Sequence, residues 1–371
     1  MPRPLTRPAG PVKLLAADRA CHRLALMKPF PILAVALAIA AAAEPPWDWG
    51  DSKDRWASSE EFETSKAICR RVRDREPPES DRPDPATARS LEGCDSEALY
   101  YGIGMPADPV RARQCAFLEA EGDQGGVFWG RTMLMTIYAN GRGASRDLDV
   151  ATHLACGIEG APMESHGRVR HLAGLKSSGW KGQDFHFCDD ITSGLAMGYC
   201  EDHEAGIAGA RREAGLAAMV AGWTAAEQRA FRRLREAHDA YAEAHGSGEV
   251  DLSGTARAAM AIAAEETLRD ELVEVLERLR SGRPLPVPAT GLEQEDSALN
   301  AAYRKRLRDL GGADGGIGAV TAQGVRDAER AWIRYRDSFL DFAAIKFPRV
   351  PRAQLAAWLT RQRTAVLAGA Q

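Results

Sequence analysis

The sequence predicts an all-α protein, a short helical-repeat solenoid followed by an α-helical bundle. Three observations support this fold class. Apolar residues recur at steps of three and four along much of the chain, alternating β-branched runs are nearly absent, and a 39-residue repeat lies in the N-terminal half. With 371 residues, 45% of them hydrophobic, the chain is long enough for two domains with separate cores.

The N-terminus has the order of an export signal. Residues 27–43 read MKPFPILAVALAIAAAA, a start Met and one Lys followed by an apolar run and small residues. We predict a signal peptide at 27–43, cut before Glu44 after Ala41 and Ala43, with residues 1–26 as a non-native or long leader. The apolar run is shorter than the roughly 20 residues of a spanning helix, although a membrane anchor is the alternative.

Removing residues 1–43 takes away six basic residues and one acidic residue, so the net charge changes from −4 to −9. An acidic surface disfavours nucleic acid and favours a basic partner. We predict a periplasmic or secreted protein that has no stable membrane anchor after signal removal and does not bind nucleic acid.

The cysteines are concentrated in the N-terminal half. Cys21 falls in the predicted leader, and an even number remains, which in an exported protein predicts three disulfides with fifteen possible connectivities. The disulfide candidates are Cys69, Cys94, Cys115, Cys156, Cys188 and Cys200.

Residues 44–85 are predicted to be a leader and linker. EPPWDWGDSKDRW is expected to be extended, Phe62 to Val72 is a short helix carrying Cys69, and Arg75 to Pro85 is a charged linker interrupted by prolines.

Residues 86–222 contain the internal repeat. A 39-residue period with helix-compatible segments is typical of a helical solenoid. The glycines permit the chain to reverse, and Asp147 is placed to cap the next helix. The shift aligns Leu99 with Tyr138, Gly104 with Gly143, Asp108 with Asp147 and Ala112 with Ala151.

This unit resembles the Sel-one-like repeats related to tetratricopeptides. An eroded third copy has a helix at Pro162 to Lys176 with Gly179 and Gly182 at its exit, and disulfides between neighbouring helices are expected to reinforce the array. The matching turn residues are Tyr138, Asn140, Gly141, Gly143, Asp147 and Ala151.

Residues 223–371 are predicted to form the bundle. Thr224 and Glu227 have the spacing of a capping box, Gly246 to Gly254 is a loop, and the prolines of Ser281 to Gly291 end a long helix. The predicted stripes are Phe231, Leu234, His238 and Tyr241, then Met260, Leu268, Leu272, Val275, Leu276 and Leu279.

Two amphipathic segments follow, joined by a glycine-rich connector at Gly311 to Gly318 that lacks the Lys and strand of a phosphate loop. A gapless shift of 94 residues aligns Ala237 with Ala331, Tyr241 with Tyr335 and Arg269 with Arg363, which suggests a duplicated helical hairpin. The two stripes are Leu299, Tyr303, Leu307 and Leu310, then Val325, Ala328, Trp332, Tyr335, Phe339 and Phe342.

This C-terminal part resembles the LprI-like lysozyme-inhibitor family, which pairs an "aD..LN..Y" helix with a "Q..W..YRD" helix and ends on "T..R...L". The resemblance implies a helical bundle with a binding role. Members with the inhibitor role carry cysteines near the last two helices, where this chain has Leu340 and Trp358. The matching residues are Asp296, Leu299, Asn300, Tyr303, Trp332, Tyr335, Arg336, Asp337, Thr360, Arg363 and Leu367.

The polar members of this motif, Asp296, Asn300, Arg336, Asp337 and Arg363, are expected to close a hydrogen-bond network that fixes helix register. Leaving such groups unpaired in a core costs roughly 1–3 kcal/mol each. Direct contact with a partner is the alternative.

The segment HFCDDITSGLAMGYCEDH is the densest cluster of candidate metal ligands. His186, Cys188, Cys200 and His203 are ligand types that suit tetrahedral zinc. In an oxidising compartment a disulfide between Cys188 and Cys200 is the simpler prediction, with zinc as the alternative.

The sequence predicts no catalytic residue and no cofactor. It contains neither G-x-S-x-G nor H-E-x-x-H, and catalysis by His153, His166 or His171 would need a nucleophile or second base beside it. Adjacent acids such as Asp189 and Asp190 are typical of helix caps.

The chain is therefore predicted to be an exported, non-enzymatic binding protein of the cell envelope that engages a protein partner. Helical solenoids commonly present a concave face for this purpose. The alternative is an inhibitor of a basic cell-wall hydrolase such as lysozyme, implied by the LprI-like resemblance and favoured by the charge of −9.

Overall fold

The computed structural model describes residues 47–122, 126–288, 290–311 and 316–369. The predicted leader and signal peptide lie outside these residues, as does half of the glycine-rich connector, residues 312–315. The described chain is all-α and contains no strand, which confirms the predicted fold class. Its α-helices are α1 Glu63–Val72, α2 Pro85–Ser90, α3 Ser96–Tyr101, α4 Pro109–Ala120, α5 Gly130–Asn140, α6 Leu148–Cys156, α7 Pro162–Ser177, α8 Gly194–Val220, α9 Ala225–Gly248, α10 Arg257–Arg280, α11 Leu292–Leu310, α12 Ala322–Lys346 and α13 Arg352–Ala368.

Two hydrophobic cores lie within one compact unit, Pro46–Gln371. The first core is built by the helices up to the start of α8, and the second by the end of α8 and the helices that follow. The predicted boundary between residues 222 and 223 falls just after α8. This helix supplies Cys200 to the first core and Leu216 to the second, so it belongs to both.

The segment before α1 packs into the first core, so the prediction of an extended leader is wrong for its described part. Trp49 is only 1% exposed, its indole N–H donates to Ser65 Oγ at 2.8 Å, and its ring meets Phe62 edge to face. Short 3-10 turns bring these residues against α1. Burial of the large indole ring accounts for the ordered path.

The 39-residue repeat corresponds to two hairpins built in the same way, α3 with α4 and α5 with α6. A glycine in the left-handed region ends the first helix of each, Gly102 at φ 78° and Gly141 at φ 64°. An aspartate then caps the second helix, Asp108 in one hairpin and Asp147 in the other. The aspartate N–H also donates to a carbonyl in the preceding helix, at 2.8 Å and 3.1 Å respectively. The third copy keeps only α7, which is followed by a 3-10 turn at Phe187–Asp190.

Three disulfides reinforce the first core. Cys69–Cys156 joins α1 to α6, Cys94–Cys115 joins the segment before α3 to α4, and Cys188–Cys200 joins the 3-10 turn to α8. The prediction of three disulfides is confirmed, including the pairing of Cys188 with Cys200.

The second core contains the predicted stripes of α9 and α12, which are buried throughout. The capping box is confirmed, because Thr224 N donates to Glu227 Oε2 at 2.7 Å and Glu227 N donates to Thr224 Oγ1 at 3.3 Å. The α10 stripe is also buried except for Met260, which is 45% exposed. Of the α11 stripe only Leu299 is buried, and the other three stripe residues pack partly buried against the core.

The predicted loop at Gly246 to Gly254 begins three residues late, because α9 continues to Gly248. A Cβ added to Gly246 would lie 2.8 Å from the side chain of Glu265, and one added to Gly248 would lie 3.0 Å from the backbone of Gly324. These glycines therefore permit close helix packing rather than a turn.

The 94-residue shift matches the order of the helices. The first triplet, α8 to α10, recurs as the second triplet, α11 to α13, and α8 packs on α10 as α11 packs on α13. The rings of Tyr241 and Tyr335, which the shift aligns, stack with their centroids 5.7 Å apart. The buried α9 residues Phe231, Leu234, His238, Tyr241 and His245 align with the buried α12 residues Val325, Ala328, Trp332, Tyr335 and Phe339.

Candidate functional site

Three open cavities adjoin along one side of α8, with volumes of about 800, 410 and 320 Å³. We call them together the α8 groove. One wall is the turn Gly102 to Met105 after α3, and the other is formed by α9 and α10. The α8 residues that line at least two of the cavities are Ala205, Gly209, Glu213, Leu216 and Ala217.

The floor of the groove is formed mainly by small residues. Ala205, Gly209, Glu213 and Ala217 follow one another at steps of four, so they lie in one row along α8. Met105, 44% exposed, contributes an apolar side chain to the opposite wall. The floor of the groove is therefore mostly apolar and open, whereas charged side chains line the walls of the 410 Å³ cavity.

Arginines surround the groove. Arg235 is held by Glu213 through two contacts of 2.7 and 2.6 Å. In contrast, Arg211 and Arg232 line the groove, are exposed, and form no ion pair among the residues that the structure describes. These two guanidinium groups remain available to carboxylates of another molecule.

Glycines position the groove by letting α8 approach the start of α10. A Cβ added to Gly194 would lie 2.3 Å from the backbone of Thr255, and one added to Gly198 would lie 2.9 Å from Ala258 Cβ. Ser193 caps the helix, since its Oγ accepts from Ala196 N at 3.2 Å.

Beside the groove, Glu97, His203 and His186 form a hydrogen-bond chain. The Cys188 N–H donates to His186 Nδ1 at 3.2 Å, so the ring proton of neutral His186 lies on Nε2. This Nε2 lies 3.0 Å from His203 Nε2, and His203 Nδ1 donates to Glu97 Oε1. Burial, together with the neighbouring His203, lowers the pKa of His186.

The predicted zinc alternative does not fit this arrangement. Cys188 and Cys200 form a disulfide, so neither offers a thiolate. The nitrogens of His186 and His203 lie near a carboxylate of Glu204, but the hydrogen-bond chain already uses both facing nitrogens. A metal on His186 Nε2 would require a proton on Nδ1, directed at the Cys188 N–H. The chain of hydrogen bonds is therefore a structural link between α3, the 3-10 turn and α8.

Three other histidines, His153, His166 and His171, have polar neighbours that the sequence does not reveal. His166 Nδ1 lies 3.0 Å from Ser65 Oγ, and His171 Nδ1 lies 2.9 Å from Asp190 Oδ2. Ser65 is fully buried and its Oγ also bonds to Phe62 O and Trp49 Nε1, so it is not placed as a nucleophile. His153 Nε2 lies 3.2 Å from an exposed carboxylate, that of Glu76.

The polar residues of the LprI-like motif do not meet in one network. Asn300 is exposed and donates to the carbonyl of Asp296 in its own helix, while Arg336 pairs with its neighbour Asp337. Asp296 Oδ1 lies 3.5 Å from Thr360 Oγ1. The expectation of a shared network is wrong for these residues, because Asp296 and Asn300 on α11 make no hydrogen bond to Arg336 and Asp337 on α12 within the described part of the chain.

Arg363 is the exception, since its side chain is fully buried in a polar cluster. Its guanidinium donates to both carboxylate oxygens of Glu249 at 2.7 Å and to Glu329 at 3.0 Å. Burial alone would lower the pKa of Arg363, but Tyr241 and the two carboxylates outweigh it and raise the pKa. Trp332, Tyr335 and Arg363 thus serve the core rather than a contact surface.

Among the described residues, none of the helices combines the length and hydrophobicity that a bilayer-spanning segment requires.

No protein-family model, no curated protein and no solved structure matches the chain. The Sel-one-like and LprI-like resemblances therefore stay predictions, and function must be inferred from the site itself.

Proposed function

We propose that the protein is an exported, non-enzymatic binding protein of the cell envelope that holds a segment of another protein in the α8 groove. The groove is the observation that carries this proposal, because three adjoining cavities open along one face of α8, on a row of mostly small residues between the two cores. Exposed apolar grooves of this kind commonly receive helical or extended segments of partners.

The groove indicates the chemistry of that segment. Its floor of Ala205, Gly209 and Ala217 favours apolar side chains that approach closely. Arg211 and Arg232 lie at its rim and have no carboxylate partner within the described ranges, so they favour acidic residues flanking the apolar ones. We therefore expect an amphipathic segment with carboxylates on its outer face.

An oxidising compartment is part of the same proposal. Three disulfides in one half of a chain are typical of exported proteins, whereas cytosolic thiols are normally kept reduced. Periplasmic or secreted localisation agrees with this chemistry.

The test is site-specific photo-cross-linking in cells that express the protein. A photoreactive residue replaces Ala214, which lines the groove, or Ala298, an exposed alanine on α11, as the matched control. We expect a discrete adduct at position 214 only, and its loss when Gly206→Trp fills the largest cavity. Equal adducts at both positions, or none at 214, would remove the proposal.

Inhibition of a basic cell-wall hydrolase such as lysozyme is a second candidate. The observation favouring it is the net charge of −9 after the predicted signal cleavage, which would attract a cationic enzyme. A turbidity assay of wall lysis with purified mature protein tests it. Absence of protection at a large molar excess would eliminate this candidate and leave the groove proposal intact.

A further inference from the structure

Every ring nitrogen of His186 and His203 is already used in a hydrogen bond beside the α8 groove. His186 Nδ1 accepts from the Cys188 N–H at 3.2 Å, and its Nε2–H donates to His203 Nε2 at 3.0 Å. His203 Nδ1 donates to Glu97 Oε1. Two nitrogens therefore accept and two donate, which uses the full hydrogen-bonding capacity of two neutral imidazoles.

One additional proton on this pair costs His186 a contact. A charged imidazole carries N–H groups on both nitrogens. A proton on His186 Nδ1 would face the Cys188 N–H, and a proton on His203 Nε2 would face the His186 N–H. The His186 ring itself has to turn, because the disulfide between Cys188 and Cys200 fixes the 3-10 turn to α8. Protonated His203 meanwhile keeps its bond to Glu97.

The groups around the pair act on its protonation in opposite directions. Burial has the largest effect on His186 and, together with His203, lowers its pKa, although two nearby carboxylates raise it. The His203 ring also stacks on the uncharged ring of Phe128, with the centroids 4.0 Å apart. We therefore expect the pair to gain its proton below pH 6.5. The titratable groups that face the pair are Glu97 and Tyr101 of α3, Asp189 of the 3-10 turn and Glu204 of α8.

Tyr101 connects the pair to the α8 groove. Its ring packs edge to face against both imidazoles, with its centroid 4.5 Å from that of His203 and 5.9 Å from that of His186. Tyr101 also lines the 800 Å³ cavity, and it directly precedes the turn Gly102 to Met105 that forms one wall. A turn of the His186 ring therefore changes the packing of a residue that belongs to this wall.

We propose that the His186–His203 pair is a pH switch of the α8 groove. While both rings are uncharged, they hold Tyr101 and the turn after it as a wall of the groove. Uptake of one proton turns the His186 ring away from its partner and loosens that wall, so acid weakens the binding of the partner segment. This inference rests on the proposed function and specifies its regulation.

The movement of the wall is tested by NMR on the full chain without a partner. The methyl groups of Ile103 and Met105 report on the turn, because both residues line the 800 Å³ cavity. We expect both methyl resonances to shift between about pH 7.5 and 5 with one common midpoint. That midpoint should coincide with the midpoint of the His186 and His203 ring resonances.

His186→Gln should abolish the pH-dependent shifts of both methyl groups. The glutamine amide donates to neutral His203 or, turned over, accepts from protonated His203, so that acid removes no contact. His153→Gln is the matched control, since His153 also lies 3.2 Å from a carboxylate, that of Glu76, but belongs to α6 and does not line the groove. It should leave the shifts unchanged. Circular dichroism confirms that both variants fold, and the comparison of midpoints in the wild type depends on neither.

Cross-linking at position 214 tests the consequence for binding. We expect the adduct to decrease about fivefold from pH 7.5 to 5.5 in the wild type, the effect of roughly one hydrogen bond, and to stay constant in His186→Gln. Methyl shifts that persist in His186→Gln, methyl shifts without the midpoint of the rings, or equal adducts at both pH values would each overturn the inference.

The inference and the proposed function fail in different ways. An adduct at position 214 that is the same at both pH values removes the switch and leaves the proposed function intact. Absence of an adduct at either pH, together with the expected methyl shifts, removes the proposed function and supports the movement of the wall.

Discussion

The two cores of this protein are both helical, yet they hold their helices in register by different chemistry. The first core is cross-linked by three disulfides and turned by left-handed glycines. The second has no disulfide among its described residues and instead buries Arg363 between Glu249 and Glu329. Covalent links constrain the unfolded chain, whereas buried charges penalise any helix arrangement that separates them.

Loss of the Cys69–Cys156 disulfide should have the largest effect and should act on the first core. The bond closes a loop with a sequence separation of 87, for which chain entropy gives about 4–5 kcal/mol of stability. We expect the Cys69→Ala, Cys156→Ala double variant to lose most of this in urea unfolding, with faster hydrogen exchange in α1 and α6.

The Cys188→Ala, Cys200→Ala variant is the control, since that bond spans only 12 residues and gives roughly 3 kcal/mol. Equal losses of unfolding free energy in the two double variants would contradict this prediction. So would hydrogen exchange that, in the Cys69→Ala, Cys156→Ala variant, accelerates as much in α9 and α12 as in α1 and α6.

Replacement of Arg363 should be nearly as damaging, and in the second core. Arg363→Met leaves the carboxylates of Glu249 and Glu329, which are 5% and 14% exposed, without their cation. Breaking a buried pair in this way typically costs about 3–5 kcal/mol. Thermal and urea unfolding would measure the loss.

Arg269→Met is the matched control, because the 94-residue shift aligns Arg269 with Arg363. Arg269 is 29% exposed and pairs with Glu265 and Glu266 of its own helix, so its loss should cost under about 1 kcal/mol. Similar losses in both variants would show that the two triplets do not differ as described.

The first core was more predictable from sequence than the second. Its cysteines, its glycine turns and the Asp147 cap are local signals, and each appears where the sequence places it. The partners of Arg363 are not local: Glu249 lies 114 residues away, and nothing near either residue indicates the pairing. Periodicity located the buried stripes of α9 and α12, but it does not specify which polar residues meet.

The α8 groove was missed for a related reason. A cavity formed by Ala205 and Gly209 is a place where side chains are lacking, so it becomes visible only once α8 is set against α9 and α10. The one available signal was the 94-residue shift, which aligns Gly209 with Tyr303. The pairing of Ser65 with His166 also spans a long separation, 101 residues, and no local pattern indicates it.

Lowering the pH should reduce the stability of the first core, by less than the disulfide and Arg363 variants reduce stability. Burial lowers the pKa of His166 and of His186, both of which contribute to the first core region. A histidine whose folded pKa is lowered binds fewer protons than the unfolded chain, so its contribution to stability is present above the unfolded pKa of about 6.5. That stability is lost as the pH falls from there through the lowered folded pKa. For His186 the hydrogen-bond geometry agrees with this direction, because a second ring proton on Nδ1 would face the Cys188 N–H.

We therefore expect the unfolding free energy of the wild type to fall between pH 7.5 and 5, and the His166→Gln, His186→Gln double variant to show a smaller fall. Urea unfolding across this range, with hydrogen exchange in α7 and α8, measures both. Burial raises the pKa of Glu119, which acts in the opposite direction, but this carboxyl is common to both proteins and cancels in the difference. Ordinary carboxylates titrate below about pH 5, so histidine is the main group that gains a proton in this range. If the unfolding free energy falls equally with pH in the wild type and the double variant, the fall does not come from His166 and His186.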